Sequence, residues 1–264
     1  LHYNIEIYQT DGGRAGTYQE ASLQYYSNRQ DRPRALRVAL GLMALPLPFQ
    51  PETFRPTNQH YAVWDQTVGG NPFAFFDPKN QLQLGLGRET RGTSVTLAAV
   101  QGREKHSFVP ERGLDTMLAL KHVAGPLVFN AFTYSGVRAL PGGDDRFTRS
   151  GFALNLYTGR LSFENFLQQG FNTNANGDGA GIHSSGGFSQ LRYGFPNRTE
   201  LLARYDGVAA TDGTFGRAFI FGAARRFGRG FRVEAEDVLS TSPTHNALGI
   251  VFDFSLTNGS GASY

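Results

Sequence analysis

One run of the sequence has the spacing of a calcium-binding loop. Asn174, Asn176 and Asp178 alternate as oxygen ligands do in such loops, and Gly179 supplies the residue for the sharp turn. The first ligand is Asn rather than Asp, however, and the twelfth position is Ser185 rather than Glu. This leaves little negative charge for a cation, and Asn, Asp and Gly are also ordinary turn residues. We therefore interpret the run first as a turn and only second as a metal site.

The six histidines form no recognisable metal, haem or hydrolase motif. None stands in an HxH or HExxH arrangement, and the chain contains no Cys. The missing thiols exclude iron–sulfur ligation, thiol catalysis and haem attachment through CxxCH within this chain. His183 precedes Ser184, but their Gly-rich surroundings lack the pattern of a nucleophile elbow. We therefore expect no catalytic residue and no cofactor, and the chain is not expected to be an enzyme.

Charged residues that alternate with apolar ones are the better functional candidates. Rings of charged side chains that line a pore set its ion preference, whereas the same residues in cross-strand pairs would only stiffen a wall. Both signs occur in similar number, so we predict neither anion nor cation preference. The pore-lining candidates are Glu6, Glu20, Arg37, Lys121, Arg149, Glu164, Arg192, Glu200, Arg204, Asp206, Arg232, Glu234, Glu236 and Asp253.

The alternation has the period of a β-strand with two unlike faces. In the segment 1–7, apolar residues occupy the odd positions and mostly polar residues the even ones, and Leu82, Leu84 and Leu86 alternate with Gln81 and Gln83. Similar segments recur to the end of the chain. They predict an all-β protein of about 14 strands, an even number as bacterial single-chain barrels have. We expect one domain over residues 1–264.

The connections between these segments fall into two classes. The short class comprises 28–34, 88–92, 124–126, 158–160, 195–198 and 227–230. The longer, Gly-, Asp- and Pro-rich class comprises 11–16, 46–79, 103–115, 141–146, 169–187, 207–214 and 241–244. The two classes alternate strictly, which is typical of an antiparallel up-and-down barrel with short periplasmic turns and longer extracellular loops. Greek-key sandwiches give no reason for such alternation.

The strand number predicts which face of the barrel is apolar. About eight strands already give an interior that side chains can fill, so a wider barrel is better explained with its apolar face outside and a polar, water-accessible interior. A soluble β-sandwich or a lipocalin-like barrel is the alternative. No apolar run approaches the roughly 20 residues of a membrane-spanning helix.

The connection 46–79 is unusually long and rich in proline and aromatic residues. Loops of this length are commonly functional, and its aromatic content favours packing over disorder. We predict that it folds into the interior as a constriction or docks a partner; a lid on the barrel rim is the alternative. The candidate residues are Phe54, Arg55, His60, Tyr61, Trp64, Asp65, Phe73, Phe75 and Phe76.

The formal net charge is +3 and the sequence pI about 9.2. Scattered arginines account for this basic balance, and they do not form the basic face of a nucleic-acid-binding protein. Several of them fall in the predicted short turns and so describe the interior poorly. These are Arg32, Arg34, Arg88, Arg91, Arg198 and Arg229.

The hairpin rhythm, the aromatic strand ends and the closing segment 248–254 resemble the bacterial outer-membrane porins. The resemblance implies a transmembrane β-barrel in the outer membrane of a Gram-negative bacterium, with the lipid bilayer as partner and trimerisation common. The chain departs from the pattern because it continues past Phe254 to Tyr264, which places the usual terminal aromatic residue in doubt. No signal peptide is visible, so we expect that an export signal has been removed.

Two functions follow from this prediction. The first is a porin that transports small hydrophilic solutes or ions by passive diffusion. The alternative is a structural sheath for a separate multihaem cytochrome in an outer-membrane electron conduit. An outer-membrane enzyme or adhesin is a third class. The sequence names neither the solute nor the oligomeric state.

Overall fold

The computed structural model describes residues 2–8, 17–26, 36–48, 61–65, 79–88, 90–101, 113–227, 231–240 and 247–254. Among them, no helix is long and apolar enough to cross a membrane, and the single helix α1 (Ala62–Asp65) has 4 residues. The strands are β1 (His2–Tyr8), β2 (Thr17–Tyr26), β3 (Leu36–Met43), β4 (Lys79–Gly87), β5 (Gly92–Gln101), β6 (Leu114–Ala124), β7 (Leu127–Leu140), β8 (Gly143–Thr158), β9 (Leu161–Asn172), β10 (Ile182–Gly194), β11 (Thr199–Ala210), β12 (Phe215–Phe227), β13 (Phe231–Ser240) and β14 (Ala247–Phe254).

These strands form a single 14-stranded sheet in which the spatial order equals the order along the chain. Each strand is antiparallel to the next, so the topology is up-and-down throughout. Connections alternate between two ends of the sheet. We call the end with turns 125–126, 159–160 and 195–198 the turn end, and the other the loop end.

The two faces of the sheet are inverted relative to a soluble protein. Leu82, Leu84 and Leu86 on β4 are 41%, 43% and 57% exposed, whereas Gln81 and Gln83, which alternate with them, are 4% and 2% exposed. A flat sheet would leave both faces open to solvent. Burial of the polar face therefore shows that the sheet curves with its polar face inside and its apolar face outside. This confirms the predicted antiparallel up-and-down fold of the β-barrel class and the predicted placement of its two faces.

Several strands are longer than the sequence predicted. Residues 141–146 were predicted to be one of the longer connections, which is wrong, because β7 and β8 are joined at 141–142 and Arg138 pairs with Asp145. The predicted connections 169–187 and 207–214 also shrink, to 173–181 and 211–214. The Gly, Asp and Ser residues there resemble loop residues, yet backbone pairing does not depend on their side chains. Long and short connections therefore do not alternate strictly.

The interior also contains an apolar cluster, which the prediction of a polar lumen did not include. Phe132 on β7, Phe166 on β9 and Phe188 on β10 point inward and are almost fully buried. The Phe132 and Phe166 ring centroids lie 6.1 Å apart, and those of Phe166 and Phe188 lie 5.8 Å apart, both stacked. Gly151 leaves room for the Phe132 ring, since a Cβ there would lie 2.3 Å from it.

Candidate constriction and interior wall

Residues 61–65, which we call the inner segment, lie inside the barrel against β10 and β11. The Tyr61 ring stacks on Phe188 with 4.1 Å between ring centroids, and the backbone N–H of Ala62 donates to Asp206 Oδ2 at 3.0 Å. Val63 packs in the same buried cluster as Tyr61. Because Phe188 and Asp206 lie midway along their strands, the inner segment is fixed near the middle of the barrel wall.

The inner segment completes a chain of polar contacts across three strands. Gln190 on β10 is level with Glu164 on β9 and Arg204 on β11. The Gln190 amide donates to Glu164 Oε2 at 2.6 Å, and the Tyr61 hydroxyl donates to Gln190 Oε1 at 3.4 Å. The Arg204 guanidinium lies 4.4 Å from the Tyr61 ring centroid and 3.5 Å from Asp206. Buried charges need such partners, so the wall and the segment stabilise one another.

The environment of Tyr61 favours its protonated form. Burial raises the pKa of the hydroxyl to about 12, because the ionised form would lose its hydration. The nearby Arg204 guanidinium lowers the pKa without cancelling this effect, and the Glu164 and Asp206 carboxylates raise the pKa further. Tyr61 is therefore a neutral donor across the physiological pH range.

A second polar network lies near the loop end. The Arg149 guanidinium donates to Asn172 Oδ1 at 2.7 Å, and the Asn172 amide donates to Asp145 Oδ2 at 2.6 Å. The other Asp145 oxygen accepts from the backbone N–H of Asn174 at 2.9 Å. These bonds attach the connection 173–181 to the inner face of β8 and β9.

The calcium-loop candidates lie in this connection and act there as turn residues. The Asn174 side chain donates to the carbonyls of Gly142 and Gly143, and its Oδ1 accepts from the N–H of Gly179 at 2.6 Å. Asp178 Oδ1 accepts from the N–H of Ala180, and Asn176 is exposed. Across the described part of the chain, no group of three or more His, Cys, Asp or Glu could hold a metal ion. Calcium binding stays a prediction that these turn hydrogen bonds disfavour.

Two further ion pairs involve predicted pore-lining residues. Arg192 lies 3.6 Å from Glu200, and Arg232 lies 2.7 Å from Glu234 on the same strand. Pairing of this kind fits the stiffening of a wall as well as the lining of a pore. Glu236 is also buried on the inner face of β13.

The remaining predicted pore-lining and loop residues do not belong to these networks or lie outside the described residues. Arg37 on β3 and Lys121 on β6 are half-buried on the inner face. Glu6, Glu20 and Asp253 belong to β1, β2 and β14, and their side chains lie outside the described residues. The same holds for the side chains of Trp64 and Asp65 in α1, and for the whole of Phe54, Arg55, His60, Phe73, Phe75 and Phe76.

Four buried charged residues were not predicted from the sequence. Asp115 accepts a hydrogen bond from the Tyr134 hydroxyl at 2.9 Å, and Gly136 leaves space for the Asp115 carboxylate. Asp145 has the same strand parity as Arg149, so extending the alternation of β8 would have found it. The other two are Lys79 and Arg138. Most were missed because they had been assigned to connections.

Several inward polar atoms have no hydrogen-bond partner within the described protein. They include Gln83 Oε1, Asn155 Oδ1 and Gln168 Oε1, on β4, β8 and β9. Buried polar groups are costly without a partner, and water is the remaining one for groups in this position. Their distribution over separate strands indicates a hydrated interior.

The overall fold of this chain is shared with proteins of known structure. The fold is that of the bacterial porins. An anion-selective porin from Comamonas acidovorans is similar to this chain with a TM-score of 0.61 and 10% identity, over 91% of this chain and 85% of that chain. A second porin matches with a TM-score of 0.55 and 9% identity, over 92% and 93% of the two chains.

This chain is also similar to OmpT, an outer-membrane protein of Vibrio cholerae, folded in vitro and in its trimer form. It matches with a TM-score of 0.51 and 12% identity, over 97% of this chain and 92% of that chain. The sequence itself matches no protein-family model and no curated protein. At these identities the likeness is one of fold, and the interior residues must be interpreted on their own chemistry.

Proposed function

We propose that this protein is a porin-type channel of a bacterial outer membrane, through which small hydrophilic solutes or ions diffuse passively. The observation that supports it most is the inverted wall. Arg204 and Gln190 are buried inside, while Leu191 and Phe221 on neighbouring strands face outward. An apolar outer face of this kind suits lipid, and a polar inner face suits water and solutes.

We place the barrel with its short turns in the periplasm and its longer loops outside the cell. Bacterial outer-membrane barrels have this arrangement, and it requires export from the cytoplasm. We assign the protein no enzymatic role. Assembly as a homo-oligomer belongs to the same proposal, and the trimer form of the similar V. cholerae protein supports it.

We further propose that the inner segment narrows the channel. It stands off β10 and β11 near mid-height, where Tyr61 and Val63 occupy space that the wall alone would leave open. The charged residues that hold it in place, Arg204 and Asp206, then lie at the narrowest level and determine which ions pass.

The test is conductance in planar lipid bilayers. We expect the purified protein to give discrete channel openings, and deletion of residues 61–65 to increase the conductance of each opening. Leu84→Ala on the outward face is the matched control and should leave conductance unchanged. A protein that inserts into the bilayer and stays electrically silent, with and without residues 61–65, would refute the channel.

The sheath for a multihaem cytochrome is the less favoured function. The phenylalanine cluster around Phe166 and the docked inner segment occupy one side of the interior, where a haem protein would have to fit. Purification from the native host would separate the two functions, because a sheath should retain haem absorbance and a channel should not.

A further inference from the structure

The turn ends of β9 to β13 carry a group of arginines that the constriction does not use. Arg160 lies in the turn 159–160, Arg198 in the turn 195–198, and Arg225 and Arg226 near the end of β12. All four side chains are exposed. Together with Arg192 and Arg232 on the inner face we call them the arginine cluster.

Backbone hydrogen bonds hold these turns side by side. The N–H of Gly194 donates to the carbonyl of Arg160 at 2.8 Å, and the N–H of Arg226 donates to the carbonyl of Arg198 at 3.1 Å. Arg226 is also the register partner of Arg232. These bonds place Arg160, Arg198 and Arg226 along one row of hydrogen-bonded strand ends, while Arg225 lies beside them on the outward face, 5.3 Å from the Phe227 ring centroid.

This surface carries more positive than negative charge. Glu200 and Glu234 are paired with Arg192 and Arg232, Glu164 also lies near Arg192, and Asp253 is the register partner of Arg232. Six arginines against these four acidic residues give a net charge of +2 for this part of the described chain. At the loop ends of the same strands the described charges are Asp178, Asp212 and Arg217. The positive excess thus belongs to the turn end alone.

Arg198 occupies the left-handed position of the hairpin turn 195–198, where its N–H donates to the Phe195 carbonyl at 3.2 Å. Its φ is 63°, and among the described residues it is the one non-glycine residue with a positive φ. A residue in this conformation is common in short hairpin turns. Glycine adopts it without steric cost, so Arg198 can be replaced by Gly without straining the turn.

We propose that the arginine cluster binds phosphate-bearing anions at the turn-end mouth of the barrel. Guanidinium groups present a planar fork of donors that matches phosphate oxygens, and adjacent arginines bind the group through several charged hydrogen bonds. A mouth of one sign of charge also raises the local concentration of the opposite ion. The binding itself requires only the fold, whereas delivery of the anion into the channel rests on the proposed function.

Phosphate groups could reach this surface on a dissolved solute or on a lipid headgroup. The inward Arg192, Arg226 and Arg232 favour a solute that enters the lumen. Exposed Phe195 and Phe227 at the same end are typical of the membrane interface and would suit a headgroup. The two sources share one binding chemistry and are separated by the experiment.

The first measurement is inorganic phosphate binding to the full chain in non-ionic detergent, by calorimetry. The triple variant Arg160→Gln, Arg198→Gly and Arg226→Gln should weaken binding at least tenfold at low salt. Arg146→Gln with Arg217→Gln removes charge from the loop end and is the control, which should bind phosphate as the unaltered protein does.

Arg198→Gly relieves backbone strain, so this single change should weaken phosphate binding while the melting temperature stays the same or rises. Equal binding by the triple variant would overturn the proposal.

The second measurement identifies the source. In bilayers of phosphatidylcholine, inorganic phosphate added at the turn end should reduce the chloride current more than the same concentration added at the loop end. A block of equal strength from both sides would overturn a site at this mouth. If the protein binds phosphatidylglycerol vesicles through the arginine cluster but does not bind free phosphate, a dissolved solute is ruled out as the ligand. The cluster would then be assigned to lipid headgroups. Phosphate binding by a protein that never conducts would retain the site and reject the channel.

Discussion

Tyr61 is held by groups of three different kinds: the Phe188 ring, the Arg204 guanidinium and the Gln190 amide. Aromatic stacking and the cation–π contact depend on the ring, while the hydrogen bond depends on the hydroxyl. A single side chain therefore connects the inner segment to both an apolar and a charged part of the wall.

This environment predicts an abnormal titration. Tyrosinate absorbance can be measured during pH titration of the unaltered protein and of Tyr61→Phe. The variant should lack one tyrosine ionisation, and that ionisation should occur near pH 12 in the unaltered protein rather than near pH 10. Because the folded-state pKa is raised, the folded protein keeps a proton that the unfolded chain releases. The corresponding stability is complete below pH 10 and is lost as the pH rises toward 12. A missing ionisation near pH 10 would show that Tyr61 is solvated and that the segment is not docked.

At the scale of elements, β7 and β8 pack through a steric fit between a glycine and an aromatic ring. Gly151 faces Phe132, whose ring is buried and stacked on Phe166, so the ring has little freedom to move away. Interiors packed to this density tolerate an added methyl group poorly.

Gly151→Ala should therefore destabilise the barrel by about 1–3 kcal/mol, as overpacked cores commonly show. Gly159→Ala is the matched control, because nothing lies within 4 Å of a Cβ built there. Urea unfolding in lipid vesicles, followed by tryptophan fluorescence, measures both. Equal unfolding midpoints for the two variants would show that Phe132 does not pack as described.

The same strands show what sequence alone can predict. Alternation placed Arg149, Glu164, Arg204 and Asp206 on the inner face, because a period of two leaves no other choice once one face is apolar. It failed at 144–146, because Asp and Arg next to Gly resemble a turn and the pairing that extends β8 is a property of the neighbouring strand.

The position of the inner segment could not be predicted in the same way. Ala62 and Asp206 are 144 residues apart in sequence, and nothing in either local pattern names the other. The long proline- and aromatic-rich connection indicated a packed segment, but its partner strands follow only from the curvature of the whole sheet.

Across the described sheet, each strand pairs with its neighbours along the chain, whereas the inner segment contacts β10 and β11, which are distant from it in sequence. Every strand pairs with its chain neighbours, which favours stepwise unravelling by hairpins when the chain is pulled out of a bilayer from its C-terminal end. We expect force spectroscopy to show a higher rupture force when β11 and β10 are reached. Tyr61→Ala combined with Asp206→Ala should remove this increase, while Leu84→Ala should not. Uniform forces along the unaltered chain would contradict a docked inner segment.

The inner segment also makes the interior of this barrel asymmetric, which is a property that engineered sensors require. The segment lies near the middle of the barrel wall and differs chemically from the strands around it. The sequence contains no Cys that would compete for a thiol-specific label. A thiol introduced at Val63 would attach a single adapter at that height. A molecule entering the barrel would then be detected by one attached adapter at a single position, and not by several equivalent adapters around the wall.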